Sequence, residues 1–329
     1  LTTQKFLRST IAKLEQAGIG TARLDALVLL EDATGKNRSW LLAHPDFDVK
    51  GSTFHTLQQQ IKRRLSHEPL AYIRGKTEFY GREFLVNKDV LEPRPESETM
   101  LDLLIDCCKA QPCNKAEPCI VDVGTGSGAL AITAKVELPQ AEVIAIDVDP
   151  ACLEVARKNA KKHSAQIKFL QGNLLEPLSN LMSGFTYAEP ETVFSLSSEV
   201  KRTSGTLREQ HKGKTDSGPQ ANSRVASYAR KQAAGDTWIL LANLPYVPDL
   251  YHVNQAAAME PRHAIFGGED GLDLYRRLFK QLQQMKIWVQ FVFTESLPFQ
   301  HKSLSIIAKS AGYRLKKTDD FIQLFVADR

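Results

Sequence analysis

Residues 120–147 constrain the fold more than any other stretch. Ile120-Val121-Asp122-Val123 is an apolar run of strand length, Gly124-Thr125-Gly126-Ser127-Gly128 is a glycine turn, and Ala129-Leu130-Ala131-Ile132-Thr133-Ala134 opens a helix. About 20 residues beyond the glycines, as in dinucleotide-type βαβ units, a second strand, Val143-Ile144-Ala145-Ile146, ends in Asp147. Glycines at such a turn let a ligand approach the backbone, and an acidic residue at the next strand end suits ribose hydroxyls. The spacing is Gly-x-Gly-x-Gly, without the wider final step of the dinucleotide fingerprint. Asp122 also puts a carboxylate beside the loop, where it would repel a pyrophosphate. A cationic cofactor without phosphate fits better: S-adenosylmethionine carries an ammonium, a sulfonium, a ribose and an adenine. The plainer alternative is an ordinary glycine-rich βα turn. Strand, glycines, helix and Asp147 in register favour the cofactor site, with Asp122, Gly124, Thr125, Gly126, Ser127, Gly128 and Asp147 as its candidates.

A second motif is Asn243-Leu244-Pro245-Tyr246, directly after the apolar run Trp238-Ile239-Leu240-Leu241-Ala242. Pro245 cannot continue a strand, so Asn243 is left at its carboxyl end, the edge of an open α/β sheet where ligands bind. The Asn243 side-chain carbonyl and the Leu244 main-chain carbonyl can accept both N–H bonds of a planar amino group, and Tyr246 can pack against it. The alternative is a strand-to-loop turn using Asn as a turn former.

With both motifs in place the chain resembles the class I S-adenosylmethionine-dependent methyltransferases, and within them the HemK/PrmC-type methyltransferases that modify a glutamine of peptide-chain release factors. The resemblance covers nearly all of the chain outside residues 183–236. It rests on Pro69-Leu70-Ala71-Tyr72-Ile73-Arg74-Gly75, Phe79-Tyr80-Gly81-Arg82-Glu83-Phe84, Val90 to Glu98, the glycine motif, Asn243 to Tyr246, and Glu260 to Leu272. The glycine motif is shared by many methyltransferases; Pro93-Arg94-Pro95-Glu96 and Gly267-Gly268-Glu269-Asp270-Gly271-Leu272 are far more specific to this family. The resemblance implies S-adenosylmethionine as cofactor and a release factor as partner. It places Arg94 and Glu96 at the substrate mouth, and Asn173 and Leu174 beside the adenine, where Asn173 replaces a usual acidic residue. Other departures are Leu244 for the first proline of Asn-Pro-Pro-Tyr, Glu295-Ser296-Leu297 for Glu-x-Gly, and the segment Asp320 to Phe325.

The expected architecture is α/β: a class I methyltransferase doubly wound mixed sheet with a small N-terminal helical domain. Residues 1–75 read as that domain, with a substrate-recognition role, from helices over 3–17, 25–34 and 52–66 and a short turn at 39–43. Residues 76–98 read as a β-hairpin linker followed by a stiff, extended Pro-Arg-Pro segment, and 99–329 as the cofactor-binding catalytic domain. Helices are expected over 149–163, 271–286 and 303–311, and strands over 166–170, 288–294 and 313–327. Residues 183–236, rich in Ser, Gly, Lys, Arg and Gln, read as a mobile or disordered insertion, and a Gly/Ser linker should replace 185–235 without loss of folding.

The 329 residues are 43% hydrophobic and 24% charged, a soluble globular balance. A net charge of +4 does not argue for a nucleic-acid groove, and no apolar stretch reaches membrane-spanning length. Five cysteines with no C-x-x-C pair and eight histidines without ligand spacing predict reduced thiols and no metal. A cytoplasmic monomer is expected; the chain begins at Leu1, so a removed leader would place it in an organellar matrix.

Two acceptors holding an amide NH₂ would aim its lone pair at a sulfonium methyl and stabilise the charge that develops on nitrogen. The same clamp suits an adenine amino group, and Asn-Leu-Pro-Tyr resembles the motif of ribosomal RNA adenine dimethylases, so an RNA or DNA adenine methyltransferase is the first rival. A non-catalytic cofactor-binding homologue is the second.

Overall fold

The structure is a computed structural model and describes residues 1–110, 118–183, 237–285 and 287–328. Five helices form the N-terminal domain: α1 (Thr3–Gln16), α2 (Ala22–Thr34), α3 (Arg38–Ala43), α4 (Gly51–Leu65) and α5 (Leu70–Arg74). Their apolar faces meet around Phe6, Leu29, Leu30, Leu41, Leu57 and Ile61. The segment read as a turn at 39–43 is the helix α3, because the Asn37 side chain accepts the Trp40 N–H at 2.9 Å and caps it. Helix α2 starts three residues before Asp25, whose carboxylate is not at a helix end but in a buried ion pair with Arg64 of α4 at 2.6 Å.

Gly75, in the left-handed conformation, stops α5 and opens a hairpin of β1 (Lys76–Phe79) and β2 (Arg82–Leu85). The extended reading holds at Arg94 (φ −96°, ψ 144°), but Pro95–Ser97 closes into one 3-10 turn that leads into α6 (Glu98–Ala110). Glu98 reaches back to accept the Tyr80 N–H at 2.6 Å, tying hairpin to helix.

The C-terminal domain continues through β3 (Cys119–Val123), α7 (Ala129–Glu137), β4 (Glu142–Asp147), α8 (Pro150–Lys162), β5 (Lys168–Gln171) and α9 (Glu176–Ser183). It resumes with β6 (Trp238–Ala242), α10 (Arg262–Ile265), α11 (Asp273–Gln284), β7 (Val289–Glu295), α12 (His301–Ser310), β8 (Tyr313–Asp319) and β9 (Ile322–Ala327). The seven strands lie in the order β5-β4-β3-β6-β7-β9-β8; β9 alone runs against both its neighbours. Every residue of β3 and β6 is buried, as expected for central strands covered on both faces. The reading of residues 183–236 as an insertion falls outside the described residues from 184 onward, as does Cys113.

Chain order reverses between β3 and β6, which pair in parallel from Cys119–Trp238 to Val123–Ala242. The glycine loop therefore leaves β3 beside the Asn243 segment leaving β6, at the crevice where open α/β sheets bind ligands. An added Cβ on Gly124 would meet Leu244 Cδ2 at 3.1 Å, which measures how tightly the two loops touch.

Candidate active site

Two cavities open at this crevice. One, of about 140 Å³, is lined by Gly124, Gly126, Asp147, Asn173 and Leu174, with Leu91, Cys152 and His263 among its other walls. The second, of about 160 Å³, is lined by Arg94, Tyr246 and Glu295 together with Val253 and Ala257. Asn243, Leu244 and Pro245 line both. A larger groove of about 590 Å³ lies on the N-terminal domain along α1 and α3, but it holds none of the motif residues.

Asp147 is held by two main-chain donors: Gly126 N–H to Oδ2 at 2.9 Å and Asp149 N–H to Oδ1 at 3.0 Å. Each oxygen keeps acceptor capacity toward the cavity. Burial pushes the Asp147 carboxyl above its ordinary range, and these two N–H bonds pull it back. Asn173 donates its Nδ2 to Glu176 Oε1 of α9 at 3.1 Å, which fixes the amide by its nitrogen and leaves its oxygen to accept.

Asp122, Thr125, Ser127 and Gly128 lie under the loop and do not line the cavity. Asp122 Oδ2 accepts from Thr125 Oγ1 at 2.6 Å and from the Ala131 N–H at 3.2 Å. Its Oδ1 is buried with no donor among the described residues, and burial raises its pKa to about 7. A buried carboxylate oxygen without a donor, beside a second buried carboxylate, fits a cationic ligand. Ser127 gives its carbonyl to Asn159 Nδ2 at 2.9 Å, and Gly128 packs against Ala156 of α8. These residues shape the loop from beneath.

Asn243 is anchored by its nitrogen. Nδ2 donates to Glu295 Oε2 at 2.8 Å and to Ser97 Oγ at 2.9 Å. Among the described residues none donates to Asn243 Oδ1 or to the Leu244 carbonyl. The Leu244 N–H is held at 3.3 Å by the hydroxyl of Tyr275, which also lies 3.0 Å from the Ala242 carbonyl. Tyr246 donates to Glu295 Oε1 at 2.9 Å. From below, Gln300 Nε2 donates to the carbonyls of Tyr246 and Asp270, both at 2.7 Å. A side chain on Gly267 would fall on the Pro245 carbonyl, and one on Gly271 on the Tyr246 carbonyl. The Gly-Gly-x-Asp-Gly segment is thus the floor on which the Asn243 loop rests.

Arg94, which lines the second cavity, donates to the buried Glu260 Oε1 at 2.7 Å. Glu96 is exposed on the turn and lines neither cavity. The sequence reading missed Ser97 and Glu295 as site residues. Glu295 had appeared only as a departure from a family pattern; β7 in fact extends to it, one residue past the expected end, and Ile322 of β9 pairs with it. Asp320, in the other departure, is the turn between β8 and β9 at φ 48°. Among the described residues no cluster of three or more His, Cys, Asp or Glu side chains could hold a metal.

The strand order, the glycine loop with Asp147, and the Asn243 loop at the adjoining strand end define a class I methyltransferase. Comparison with known proteins is more specific. The family profile described as PrmC N-terminal domain matches residues 5–75, and the one described as methyltransferase domain matches 120–196. The chain is thus similar at its N-terminus to the PrmC N-terminal domain and, over residues 120–196, to a methyltransferase domain.

Its relatives include a bifunctional methyltransferase of Rickettsia bellii, 34% identical over 53% of this chain and 35% of that protein. The release factor glutamine methyltransferase of Koribacter versatilis is 28% identical over 86% of this chain and 81% of its own length. That of Bordetella pertussis is 38% identical over 51% of this chain and 61% of its own. The chain thus spans about a third of the Rickettsia protein and three-fifths of the Bordetella one.

Proposed function

We propose that this protein transfers a methyl group from S-adenosylmethionine to the side-chain amide nitrogen of a glutamine in a peptide-chain release factor. The observation that carries the reading is the orientation of Asn243: both hydrogens of its amide are spent on Ser97 and Glu295, which leaves its carbonyl oxygen as the free acceptor of a residue that lines both cavities. The names of the Koribacter and Bordetella relatives supply the acceptor class.

Amide nitrogen is a weak nucleophile because its lone pair is delocalised into the carbonyl. Asn243 Oδ1 and the Leu244 carbonyl take its two N–H bonds, aim the lone pair toward the cofactor cavity, and stabilise positive charge on nitrogen as the bond forms. Bound S-adenosylmethionine supplies an electrophilic methyl on its sulfonium. The chain's part is placement: the glycine loop and Asp147 on one side, the acceptor cavity with Arg94 and Tyr246 on the other. No strong base is needed before attack: the nitrogen becomes acidic only as the N–C bond forms and the S–C bond breaks, its surplus proton then passes to solvent, and the neutral thioether is the leaving group. A release-factor substrate places the reaction where translation occurs, in cytoplasm or an organellar matrix.

The test is incubation with methyl-labelled S-adenosylmethionine and purified release factors, followed by peptide mapping. Label on a single glutamine is expected. Label on RNA adenine with none on the release factor would overturn the acceptor while leaving the amino-group clamp.

A further inference from the structure

Glu295 is a fully buried carboxylate whose charge state the chemistry above leaves unassigned. We propose that Glu295 is a positioning residue whose carboxylate fixes the orientation of the Asn243 amide, so that the amide presents oxygen and not nitrogen to the acceptor. The inference deepens the glutamine-methylation reading and rests on it.

The two ends of an Asn amide have nearly the same shape, so packing alone does not choose between them; their hydrogen-bond partners do. An ionised carboxylate only accepts. Glu295 Oε2 takes the Ser97 hydroxyl proton at 2.6 Å and one Asn243 Nδ2 hydrogen at 2.8 Å. Because the Ser97 proton is committed to Glu295, Ser97 Oγ faces Asn243 as an acceptor and takes the second Nδ2 hydrogen at 2.9 Å. Turning the amide over would set its oxygen against two oxygens with no proton to offer. The other carboxylate oxygen takes the Tyr246 hydroxyl at 2.9 Å, so one group fixes both polar side chains of the Asn-Leu-Pro-Tyr motif.

Protonated Glu295 reverses this logic. It could donate to Asn243 Oδ1, and the amide would then turn its NH₂ toward an acceptor that also offers NH₂. Around Glu295 stand Ser97 and Glu96 on the 3-10 turn and Asn243 and Tyr246 after β6. Tyr275 of α11 meets its main-chain carbonyl at 2.5 Å, and Arg94 shares the acceptor cavity. Burial raises the Glu295 pKa and Glu96 adds to it, while the bonds from Ser97, Tyr246 and Asn243 lower it, leaving it above the ordinary carboxylate range. Turnover should therefore be full above that pKa and fall as pH drops through it.

The experiment compares the full-length wild type with Glu295→Gln and with Glu295→Gln/Asn243→Asp, by cofactor calorimetry and steady-state kinetics on the release factor. Glu295→Gln keeps the shape but offers an amide donor that can pull Asn243 Oδ1 inward. A kcat loss of about a hundredfold is expected, with cofactor affinity kept and the acid limb of kcat gone. In the double variant residue 243 has two acceptor oxygens, so either orientation serves the acceptor. It should recover about tenfold of kcat over Glu295→Gln, a rescue that a merely structural role does not produce.

Wild-type kcat in Glu295→Gln, or a folded, cofactor-binding double variant no faster than it, overturns the proposal. If Glu295→Gln does not fold, Ser97→Ala takes its place: an intermediate kcat loss is expected, and an unchanged kcat overturns the proposal. The Asn243 side-chain amide resonances of the wild type should show two protected hydrogens that shift as Glu295 titrates. That readout needs no acceptor. If the wild type fails to methylate any release factor the function reading falls, and the resonances still decide the orientation.

Discussion

Asn243 sits where the two cavities meet, and which end of its amide is tied down decides its chemistry. Replacing it with alanine removes a preorganised acceptor without touching the Asp147 hydrogen bonds. Asn243→Ala should lower methyl transfer by on the order of 3 kcal/mol, about a hundredfold, while calorimetry finds cofactor affinity retained. Transfer at the wild-type rate would sink the clamp. A second residue-scale prediction concerns protons. Asp122 has a pKa raised to about 7, and Asp147 is also raised, both chiefly by burial. Between the unfolded carboxylate range and these values the folded, ligand-free protein binds more protons than the unfolded chain, so its stability falls as pH rises through that window. A bound cation favours the ionised forms and drives protons off. Cofactor affinity should therefore increase as pH rises toward about 7 and then level, with proton release visible as buffer-dependent binding heats. Asp122→Asn should remove most of that dependence. An affinity flat across the window in the wild type would show that neither carboxylate feels the ligand.

At the scale of elements, the Asn243 loop stands on the segment from Gly267 to Gly271. Gly271 has φ 80° and leaves no room for a Cβ against the Tyr246 carbonyl. Gly271→Ala combines left-handed strain with a backbone clash, about 1–3 kcal/mol if the loop yields. The expected outcome is a lower melting temperature together with reduced kcat, since the loop that yields carries Asn243. Wild-type values of both would mean that the floor is not rigid. The sequence marked this segment by family resemblance alone; its packing reason depends on which backbone lies above it. β3 and β6 were legible because buried central strands are unbroken apolar runs, and the glycine loop because its order of strand, turn and helix is local. The α3 helix was missed because six residues make too short a periodic pattern and only the Asn37 cap betrays it. Glu295 was missed for a different reason. A carboxylate after an apolar strand reads as a solvent-facing end, and its partners Ser97 and Asn243 lie 198 and 52 residues away in the chain.

At the scale of the whole molecule, the described residues form a seven-stranded sheet, with α9 ending at Ser183 and β6 starting at Trp238. Residues 185–235 are rich in Ser, Gly, Lys, Arg and Gln and poor in periodic apolar residues, so replacing them with a Gly/Ser linker should leave thermal stability and cofactor affinity nearly unchanged; a large loss of either would show that the segment makes core contacts. The N-terminal domain is tied to the catalytic domain more closely. Ala71 and Tyr72 of α5 pack with Val86 and Val90 of the connecting segment and with Cys152 and Val155 of α8 in one buried cluster. The Tyr72 hydroxyl donates to the Val90 carbonyl at 2.6 Å, and Cys152 in turn donates to the Asp89 carbonyl at 3.2 Å while lining the cavity beside the glycine loop. The wall of that cavity and the seat of the N-terminal domain thus share a residue. Tyr72→Ala removes a buried ring and its hydrogen bond, a change worth about 3–5 kcal/mol when the gap does not collapse. Because the loss falls on a junction, it should uncouple the domains as well as destabilise them. Calorimetric unfolding should broaden or split, and saturating S-adenosylmethionine should raise only the transition of the catalytic part. The acceptor KM should rise more than the cofactor Kd, because residues 90–97, which carry Arg94 to the acceptor cavity, are hung from the same cluster. A Tyr72→Ala protein with wild-type unfolding and an unchanged acceptor KM would mean that the two domains are seated by other contacts.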